Sequence, residues 1–284
     1  MRFTRSMPLL WLAIALLCSV ADCSAQQTET AGTPAAALSP NLSGIAHIAL
    51  RVHDLDASVS FYENLGFVRA FALSRDGKVY EAFIKINDRQ FIELYPATPQ
   101  HPQAEFLHVC FEGEHLQAVH DFYVAAGLMP TAVKTAGAGN LLFTMPGPAT
   151  PAGPQNIEYT QYMPGSMHSK DIGLHLGAKR IATEIVQVTL AVDDPVQARI
   201  FYLAKLGFLA GPDGIVRLPG APRESLKIVP LAQLRTHSRI VLHVEERHAA
   251  KEALKQSRVS FEKSGKDLVL LDPDGNENVL STTD

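Results

Sequence analysis

One spacing recurs three times in this 284-residue chain and constrains its fold more than any other feature. In each copy an aromatic pair follows a polar residue at the same distance, and a glycine comes shortly after the pair. The polar residues and the first aromatics are His47 and Phe61, His108 and Phe122, and Gln187 and Phe201. Such a repeat indicates one supersecondary unit copied along the chain, so equivalent positions can be compared with one another.

The first copy has the residue pattern of a βαβββ unit. Residues 45–52 alternate as a strand, and residues 54–64 follow as a helix that a capping aspartate begins and a glycine ends. Three short strands are expected next, near residues 67–73, 79–86 and 90–95, because turn residues separate these apolar runs.

Later copies repeat this unit with decreasing clarity. The second spans residues 106–162, with a helix over 114–126 and strands that include one near 128–134. A third copy begins at Ile185 and a fourth at about Ile240. The chain is therefore predicted to be α+β, built from four βαβββ modules.

Strand alternation places a histidine and a glutamate of each early module on the face away from its helix. These residues are His47 and Glu93 in the first module and His108 and Glu158 in the second. Imidazole and carboxylate together suit a divalent zinc, nickel, iron, cobalt or manganese ion. A lone strand histidine is usually structural, but the pairs occupy equivalent positions in two copies. We therefore predict a metal site, with its metal unspecified.

The N-terminus indicates export. Two arginines precede an apolar run over residues 7–20, and small residues before Gln26 resemble a cleavage site, so residues 1–25 are predicted to be a signal peptide. The protein would then be periplasmic or secreted. Residues 26–42 are rich in Thr, Ala, Pro and Gln and are predicted to be a disordered lead-in. Cys110 alone remains after cleavage, so no internal disulfide is expected.

Composition excludes two classes of partner. The chain is 46% hydrophobic and 19% charged, with a formal net charge of −4 and no block of Lys or Arg. That balance gives no electrostatic footprint for nucleic acid or for an anionic membrane once the signal peptide is removed. The expected partner is a small-molecule substrate or ligand, bound by a monomer or homodimer.

The chain resembles the vicinal oxygen chelate superfamily, which contains glyoxalases, extradiol dioxygenases and bleomycin-resistance proteins. The resemblance rests on the βαβββ unit, on the opening from His47 to Val52, and on the helix that carries Phe61 and Tyr62 and ends at Gly66. It implies that modules pair into two glyoxalase-like domains with cupped mixed sheets, over residues 43–163 and 183–284, joined by a linker at 164–182. It also implies metal ligands at His47, Glu93, His108 and Glu158.

The second domain departs from this ligand pattern. Alignment on the aromatic pair puts Gln187 opposite His47, and Lys227 falls opposite Glu93. Val279 occupies the last ligand position, and His243 is offset from the first. A protonated lysine is a poor ligand at neutral pH. We therefore predict a second double module that is degenerate and free of metal.

The ligand set indicates an isomerase or lyase of the glyoxalase type that polarises neighbouring oxygens of a small substrate. Glu158 is the first candidate for the base and Glu93 the second. Arg51 and Tyr95 share the face and are candidates to bind the substrate. The alternative is a binding protein of the bleomycin-resistance type. An extradiol dioxygenase is less favoured, because those members use two histidines and one glutamate.

Overall fold

The computed structural model of the protein describes residues 40–150, 153–234 and 238–282. The predicted signal peptide and residues 26–39 of the predicted lead-in lie outside the described residues. The first strand begins at Leu42, three residues before the predicted start at Ile45.

The first sheet has eight strands from two βαβββ modules, in the order β2-β3-β4-β1-β5-β8-β7-β6. Its strands are β1 Leu42–Val52, β2 Val68–Arg75, β3 Lys78–Lys85, β4 Phe91–Pro96, β5 Glu105–Gly113, β6 Lys134–Thr135, β7 Leu141–Thr150 and β8 Gly153–Gln161, and its helices are α1 Leu55–Asn64 and α2 Leu116–Ala125. Within each module the first and last strands pair in parallel. The modules join where β1 pairs antiparallel with β5, so both predicted ligand pairs lie in one sheet.

The second sheet repeats this topology, in the order β10-β11-β12-β9-β13-β16-β15-β14. Its strands are β9 Glu184–Val192, β10 Leu209–Ala210, β11 Ile215–Arg217, β12 Ser225–Pro230, β13 Arg239–His243, β14 Glu262–Ser264, β15 Asp267–Leu271 and β16 Glu277–Ser281, and its helices are α4 Pro195–Ile200 and α5 Arg247–Ser257. A short helix α3, Met167–Lys170, comes between β8 and β9 in the sequence, and a 3-10 turn, Leu231–Gln233, follows β12. The predicted α+β class with four modules is confirmed.

Local chemistry explains why the first helix of each half begins at its observed residue. The Asp54 carboxylate accepts a hydrogen bond from the Ala57 N–H before α1, and Asp194 accepts from Val196 and Gln197 before α4. These bonds satisfy N–H groups that have no partner inside the helix. Tyr62 of α1 is fully buried and belongs to the continuous apolar core of the protein.

The two halves differ in one helical turn. After α4 the chain forms a π-helical turn, Phe201–Lys205, that has no counterpart after α1. Gly207 follows the aromatic pair one residue later than Gly66 does, and a π turn absorbs one extra residue in a helix. Phe208 therefore reaches the core as Phe67 does, and both are buried.

The predicted strand near residues 128–134 is wrong over most of its length. Only Lys134–Thr135 forms a strand, and residues 128–133 are irregular. Pro130 lies within this stretch and has no N–H to donate to a sheet. Met129 before it is 80% exposed, so the residue has left the apolar face that the pattern assigned to it.

Two reciprocal contacts connect the sheets. The Gln90 amide accepts a hydrogen bond from the Ile185 N–H at 2.7 Å and donates to the Ile185 carbonyl at 3.0 Å. Glu224, at the equivalent position before β12, accepts from the Ile45 N–H. Each half thus supplies a side chain that binds the backbone at the start of the other half's first strand.

Within the described residues, none of the helices has the length and apolar character needed to span a bilayer.

Candidate metal centre and its cavity

The centre of the first sheet brings the four predicted ligands onto one face. His47 lies on β1, Glu93 on β4, His108 on β5 and Glu158 on β8. Their register is symmetrical, because Glu93 and His108 flank Ala49 while His47 and Glu158 flank Cys110. All four side chains are buried, with exposures of 2% to 8%.

The donor atoms of these residues lie close together. His47 Nε2 is 3.1 Å from His108 Nε2 and 3.4 Å from Glu158 Oε1. Glu93 Oε1 lies 3.1 Å from His47 Nδ1, and Glu158 Oε2 lies 3.9 Å from His108 Nε2. Two overlapping groups, His47 with Glu93 and His108, and His47 with Cys110 and Glu158, each keep their donor atoms within 4.8 Å of one another.

The separations of His47 Nε2 from His108 Nε2 and Glu158 Oε1, 3.1 and 3.4 Å, fit a shared divalent cation. Ligands that bind a cation at about 2.0–2.2 Å are separated from one another by roughly 3.0–3.4 Å in tetrahedral or octahedral arrangements. His47 Nδ1 is buried without an aligned hydrogen-bond partner among the described residues, which is unusual for an imidazole nitrogen. The chemistry of the donor set and the unsatisfied nitrogen both suit a metal.

Burial dominates the electrostatics of the set. It lowers the pKa of His47 to about 3 and that of His108 to about 4, so both rings are neutral and hold a lone pair at neutral pH. Burial, together with the nearby Glu81 and Glu158 carboxylates, raises the pKa of Glu93 well above its usual range. Burial also raises the pKa of Glu158. Buried carboxylates this close to one another need a compensating positive charge.

Tyr95 holds one of these carboxylates in place. Its hydroxyl lies 2.6 Å from Glu81 Oε1 and 3.1 Å from Glu93 Oε2, so its single proton can be donated to either carboxylate. Burial and the two carboxylates raise the pKa of Tyr95, so the hydroxyl keeps its proton. The predicted residue Tyr95 is therefore on the cavity wall, where it orients Glu93.

A cavity of about 290 Å³ opens on this face of the sheet. Its polar lining consists of three carboxylates and one each of lysine, tyrosine, asparagine, threonine and histidine, beside apolar and small residues. These polar residues are Glu81, Glu93, Glu158, Lys134, Tyr95, Asn140, Thr135 and His168. A volume near 300 Å³ is at the small end of ligand pockets, so it suits a small molecule.

Arg51 is the predicted substrate-binding residue that the structure does not bring to this cavity. Its guanidinium pairs with Glu105, and Arg51 is not among the described residues that line the cavity wall. Alternation placed Arg51 on the correct face of β1, but the residue lies near the end of that strand. Its predicted role in binding a substrate gains no support from this geometry.

Three residues at the centre were not identified as site residues from the sequence. Glu81 lies on the adjacent strand β3 and bonds Tyr95, and alternation along β3 could have found it. Cys110 is buried on β5, and its sulfur lies within reach of His47 and Glu158. His168 comes from the irregular segment between the sheets, which carries no periodic pattern.

The second sheet has different residues at the four equivalent positions. Register along the paired strands places Gln187, Lys227, Arg239 and Val279 where the first sheet has His47, Glu93, His108 and Glu158. Gln187 donates to Ser225 Oγ at 3.1 Å, and Arg239 pairs with Glu277. Among the described residues, the groups of side chains close enough to share an ion both lie in the first sheet.

Comparison with known proteins supports the predicted family resemblance. Residues 44–156 match the family model of the Glyoxalase/Bleomycin resistance protein/Dioxygenase superfamily. No curated protein matches the chain.

Solved structures share the fold of both halves at low sequence identity. The Mn(II)-bound glyoxalase from Novosphingobium aromaticivorans is 15% identical, with a TM-score of 0.59 over 86% of this chain and 83% of that one. The 2,3-dioxygenase LapB from Pseudomonas sp. KL28 is 16% identical, with a TM-score of 0.59 over 85% and 92%.

A third structure has a bound aromatic substrate. Homoprotocatechuate 2,3-dioxygenase from Brevibacterium fuscum, in complex with 3,4-dihydroxyphenylacetate, is 17% identical, with a TM-score of 0.60 over 88% of this chain and 83% of that one. The match of the family model over residues 44–156 and the shared fold confirm the predicted resemblance to the vicinal oxygen chelate superfamily.

Proposed function

We propose that the protein is a metal-dependent isomerase or lyase of the glyoxalase type, acting on a small molecule with two neighbouring oxygens. The observation that carries this proposal is the meeting of two imidazoles and two carboxylates, from four strands, on one buried face of the sheet, where both carboxylates line a small cavity. A divalent cation held by His47, Glu93, His108 and Glu158 would supply Lewis acidity toward a substrate carbonyl.

The chain's own residues prepare this centre for such a cation. The two imidazoles are neutral, because burial lowers the pKa of each, so neither must lose a proton before binding. The carboxylates of Glu93 and Glu158 supply the negative charge that a divalent cation compensates. Tyr95 fixes the orientation of Glu93 through its hydroxyl.

Glu158 is the better placed of the two carboxylates to act as a base. Glu93 has one oxygen 3.1 Å from the Tyr95 hydroxyl, a contact that restrains its carboxylate. Glu158 lies 3.4 and 3.9 Å from the two histidine rings, with the Cys110 sulfur also within reach, and it faces the cavity. Glu158 would remove a proton from the carbon beside the substrate carbonyl and return it to the neighbouring carbon.

The first test is the metal content of the purified protein by plasma mass spectrometry. We expect about one divalent metal per wild-type chain and its loss in the His47→Ala/Glu158→Ala double variant. Gln187→Ala is the matched control, because Gln187 occupies the position of His47 in the second sheet, and it should retain the metal. A wild type without metal after reconstitution would contradict the proposal.

The second test measures the chemistry directly. Metal-loaded protein in deuterated water should exchange the hydrogen beside the carbonyl of dihydroxyacetone, glyceraldehyde or a related compound, as followed by proton NMR. Glu158→Gln should reduce the exchange rate by about 10²-fold or more, which is the usual contribution of a general base. Retention of such compounds without exchange would instead support the binding-protein alternative, and oxygen uptake with catechols would support a dioxygenase.

Export forms a separate part of this proposal. It rests on the sequence of residues 1–25. We expect the full-length chain, produced in a bacterium with an outer membrane, to appear in the periplasmic fraction with Gln26 as its N-terminal residue. Recovery of intact chain beginning at Met1 from the cytoplasm alone would contradict export.

A further inference from the structure

Helix α3 brings a histidine from outside the βαβββ modules to the cavity beside the four candidate ligands. His168 is only 2% exposed, and it lines the same cavity as Glu93 and Glu158. Its chain segment belongs to neither sheet. No function described above uses this side chain.

Aromatic rings fix the position of the His168 imidazole. The ring stacks on Tyr162 with centroids 4.2 Å apart and planes 11° apart. It meets Phe71, Phe83 and Phe91 edge-on, at centroid distances of 5.1 to 5.3 Å. The ring is thereby held in one plane by four neighbours.

Both ring nitrogens of His168 lack a hydrogen-bond partner among the described residues. A buried polar atom without a partner is costly, and such atoms are rare in folded proteins. Burial lowers the pKa of His168 to about 3, so the ring is neutral and offers one N–H donor and one acceptor. The surrounding side chains give this donor and acceptor nothing to bind.

The segment that carries His168 is firmly anchored. The fully buried Lys85 ammonium contacts the Asp171 carboxylate at 2.7 Å and the Leu174 carbonyl at 2.7 Å. The Met167 N–H donates to the Ala138 carbonyl at 2.8 Å, which ties α3 to the cavity wall. The His168 ring is therefore held in place by the contacts that residues before and after it in the sequence make with the rest of the protein.

The charges on the cavity wall restrict which ligand groups can bind the His168 ring. Three carboxylates and one lysine line this cavity. Lys134 is the one cationic side chain among these lining residues, and Arg51 is paired with Glu105 elsewhere. An uncharged hydroxyl or carbonyl is the group that fits a neutral imidazole here.

We propose that His168 is a substrate-binding residue that hydrogen-bonds an uncharged oxygen of a small hydroxylated or carbonyl compound held at the four-residue centre. This inference rests on the proposed function, since it requires the substrate to bind at that centre. The segment between β8 and β9 thereby gains a role in substrate specificity.

Catechol is a suitable probe, because it is small, uncharged at neutral pH and has two neighbouring oxygens, and zinc is a suitable metal because it is redox-inert. Calorimetry on zinc-loaded protein should show His168→Phe binding catechol about tenfold more weakly than wild type, as expected for a lost hydrogen bond. His168→Gln, which keeps a donor and an acceptor, should recover part of this loss. Zinc content should be unchanged in both variants.

Tyr162→Phe is the matched control. It keeps the ring on which His168 stacks and removes only a hydroxyl that donates to the Arg89 carbonyl. Its catechol affinity should stay within about twofold of wild type, since no cavity hydrogen bond is lost.

Two readouts separate a binding role from a structural one. His168→Phe should raise the melting temperature of the metal-free protein by about 2–4 °C, because it removes two unsatisfied buried nitrogens. In ¹⁵N-histidine-labelled, zinc-loaded protein, catechol should shift a ring resonance that the His168→Phe variant lacks.

The outcomes distinguish the two proposals. Unchanged catechol affinity in zinc-loaded His168→Phe would overturn the role of His168 and leave the metal centre intact. A lower melting temperature of metal-free His168→Phe would assign the ring to the fold and overturn the inference. Zinc-loaded wild type that binds no catechol would also overturn it, and wild type that takes up no zinc would overturn both proposals.

Discussion

The two halves of the protein have the same strand order and different chemistry at equivalent positions. In the first sheet, His47 and His108 meet Glu93 and Glu158 on a buried face. In the second sheet an amide, two cations and a valine occupy these positions: Gln187, Lys227, Arg239 and Val279. The βαβββ fold is thus formed with and without the polar set.

This difference shows that the four residues are not required by the fold. Buried imidazoles and carboxylates destabilise a folded chain unless partners compensate them. The second half replaces them and keeps its sheet, so the first half retains a costly arrangement that a bound cation would offset. Positions that break local rules in this way are expected at functional sites.

The largest effect expected from this comparison is on metal-dependent stability. Zinc at about 1,000 times its dissociation constant should stabilise wild type by about 4 kcal/mol and raise its melting temperature by roughly 8–16 °C. Glu93→Ala should abolish most of this shift, because it removes a predicted ligand. Lys227→Ala, at the equivalent position in the second sheet, should keep it. Equal shifts in both variants, measured by calorimetry, would place the metal elsewhere.

A second contrast concerns the cations at the ends of equivalent strands. Lys85 is fully buried and contacts Asp171, whereas Arg217, its register equivalent, reaches only the Pro222 carbonyl at the surface. Lys85→Met should destabilise the protein by about 3 kcal/mol, because it removes the ammonium that contacts the Asp171 carboxylate and the Leu174 carbonyl and leaves that carboxylate with His175 alone. Arg217→Met should cost less than about 1 kcal/mol. Urea titration measures both, and similar losses would contradict the assigned role of Lys85.

A third contrast is pH-dependent. Burial raises the pKa of Glu224 to about 8, while Gln90 holds the equivalent position without a charge. The folded state keeps the Glu224 proton more tightly than the unfolded state, so this contribution to stability is complete below about pH 4.5 and is lost as pH rises through about 8. The loss should amount to roughly 2 kcal/mol after local relaxation.

Glu224→Gln should remove this decline between about pH 5 and pH 9. The reciprocal Gln90→Glu variant should steepen the decline, since it places a second carboxylate in the same surroundings. Melting temperatures across that pH range test both variants. A decline that persists unchanged in Glu224→Gln would assign the pH dependence to other groups.

The smallest effect should be the same in both halves. Asp54 and Asp194 cap the first helix of each half through backbone N–H groups. Asp54→Ala and Asp194→Ala should each cost about 1 kcal/mol, a usual value for a lost N-cap. Markedly unequal losses in denaturant titrations would show that the halves differ in their helix starts as well as in their ligand positions.

Residues on regular strands were predictable from the sequence, because alternation and the repeat fix which face they occupy. This reasoning found His47, Glu93, His108 and Glu158, and it also matched Lys227 and Val279 to the correct strand positions. Tyr95 reached the cavity wall as well.

Residues outside regular strands were not predictable in this way. His168 reaches the cavity through tertiary packing of an irregular segment, which leaves no periodic pattern in the sequence. Arg51 lies on the expected face, but the pattern does not show that Glu105 pairs with it. The predicted strand near residues 128–134 failed because apolar residues surrounded Pro130, and a proline removes the hydrogen bond that a strand needs.

Through the contacts of Gln90 with Ile185 and of Glu224 with Ile45, each half supports the first strand of the other. Ile45 stands two residues before His47 on the same strand. Loss of the Glu224 contact would therefore free the backbone that leads to His47 and the candidate metal centre. The second half, which lacks the four candidate ligands, thus helps to position the strand that carries the first imidazole.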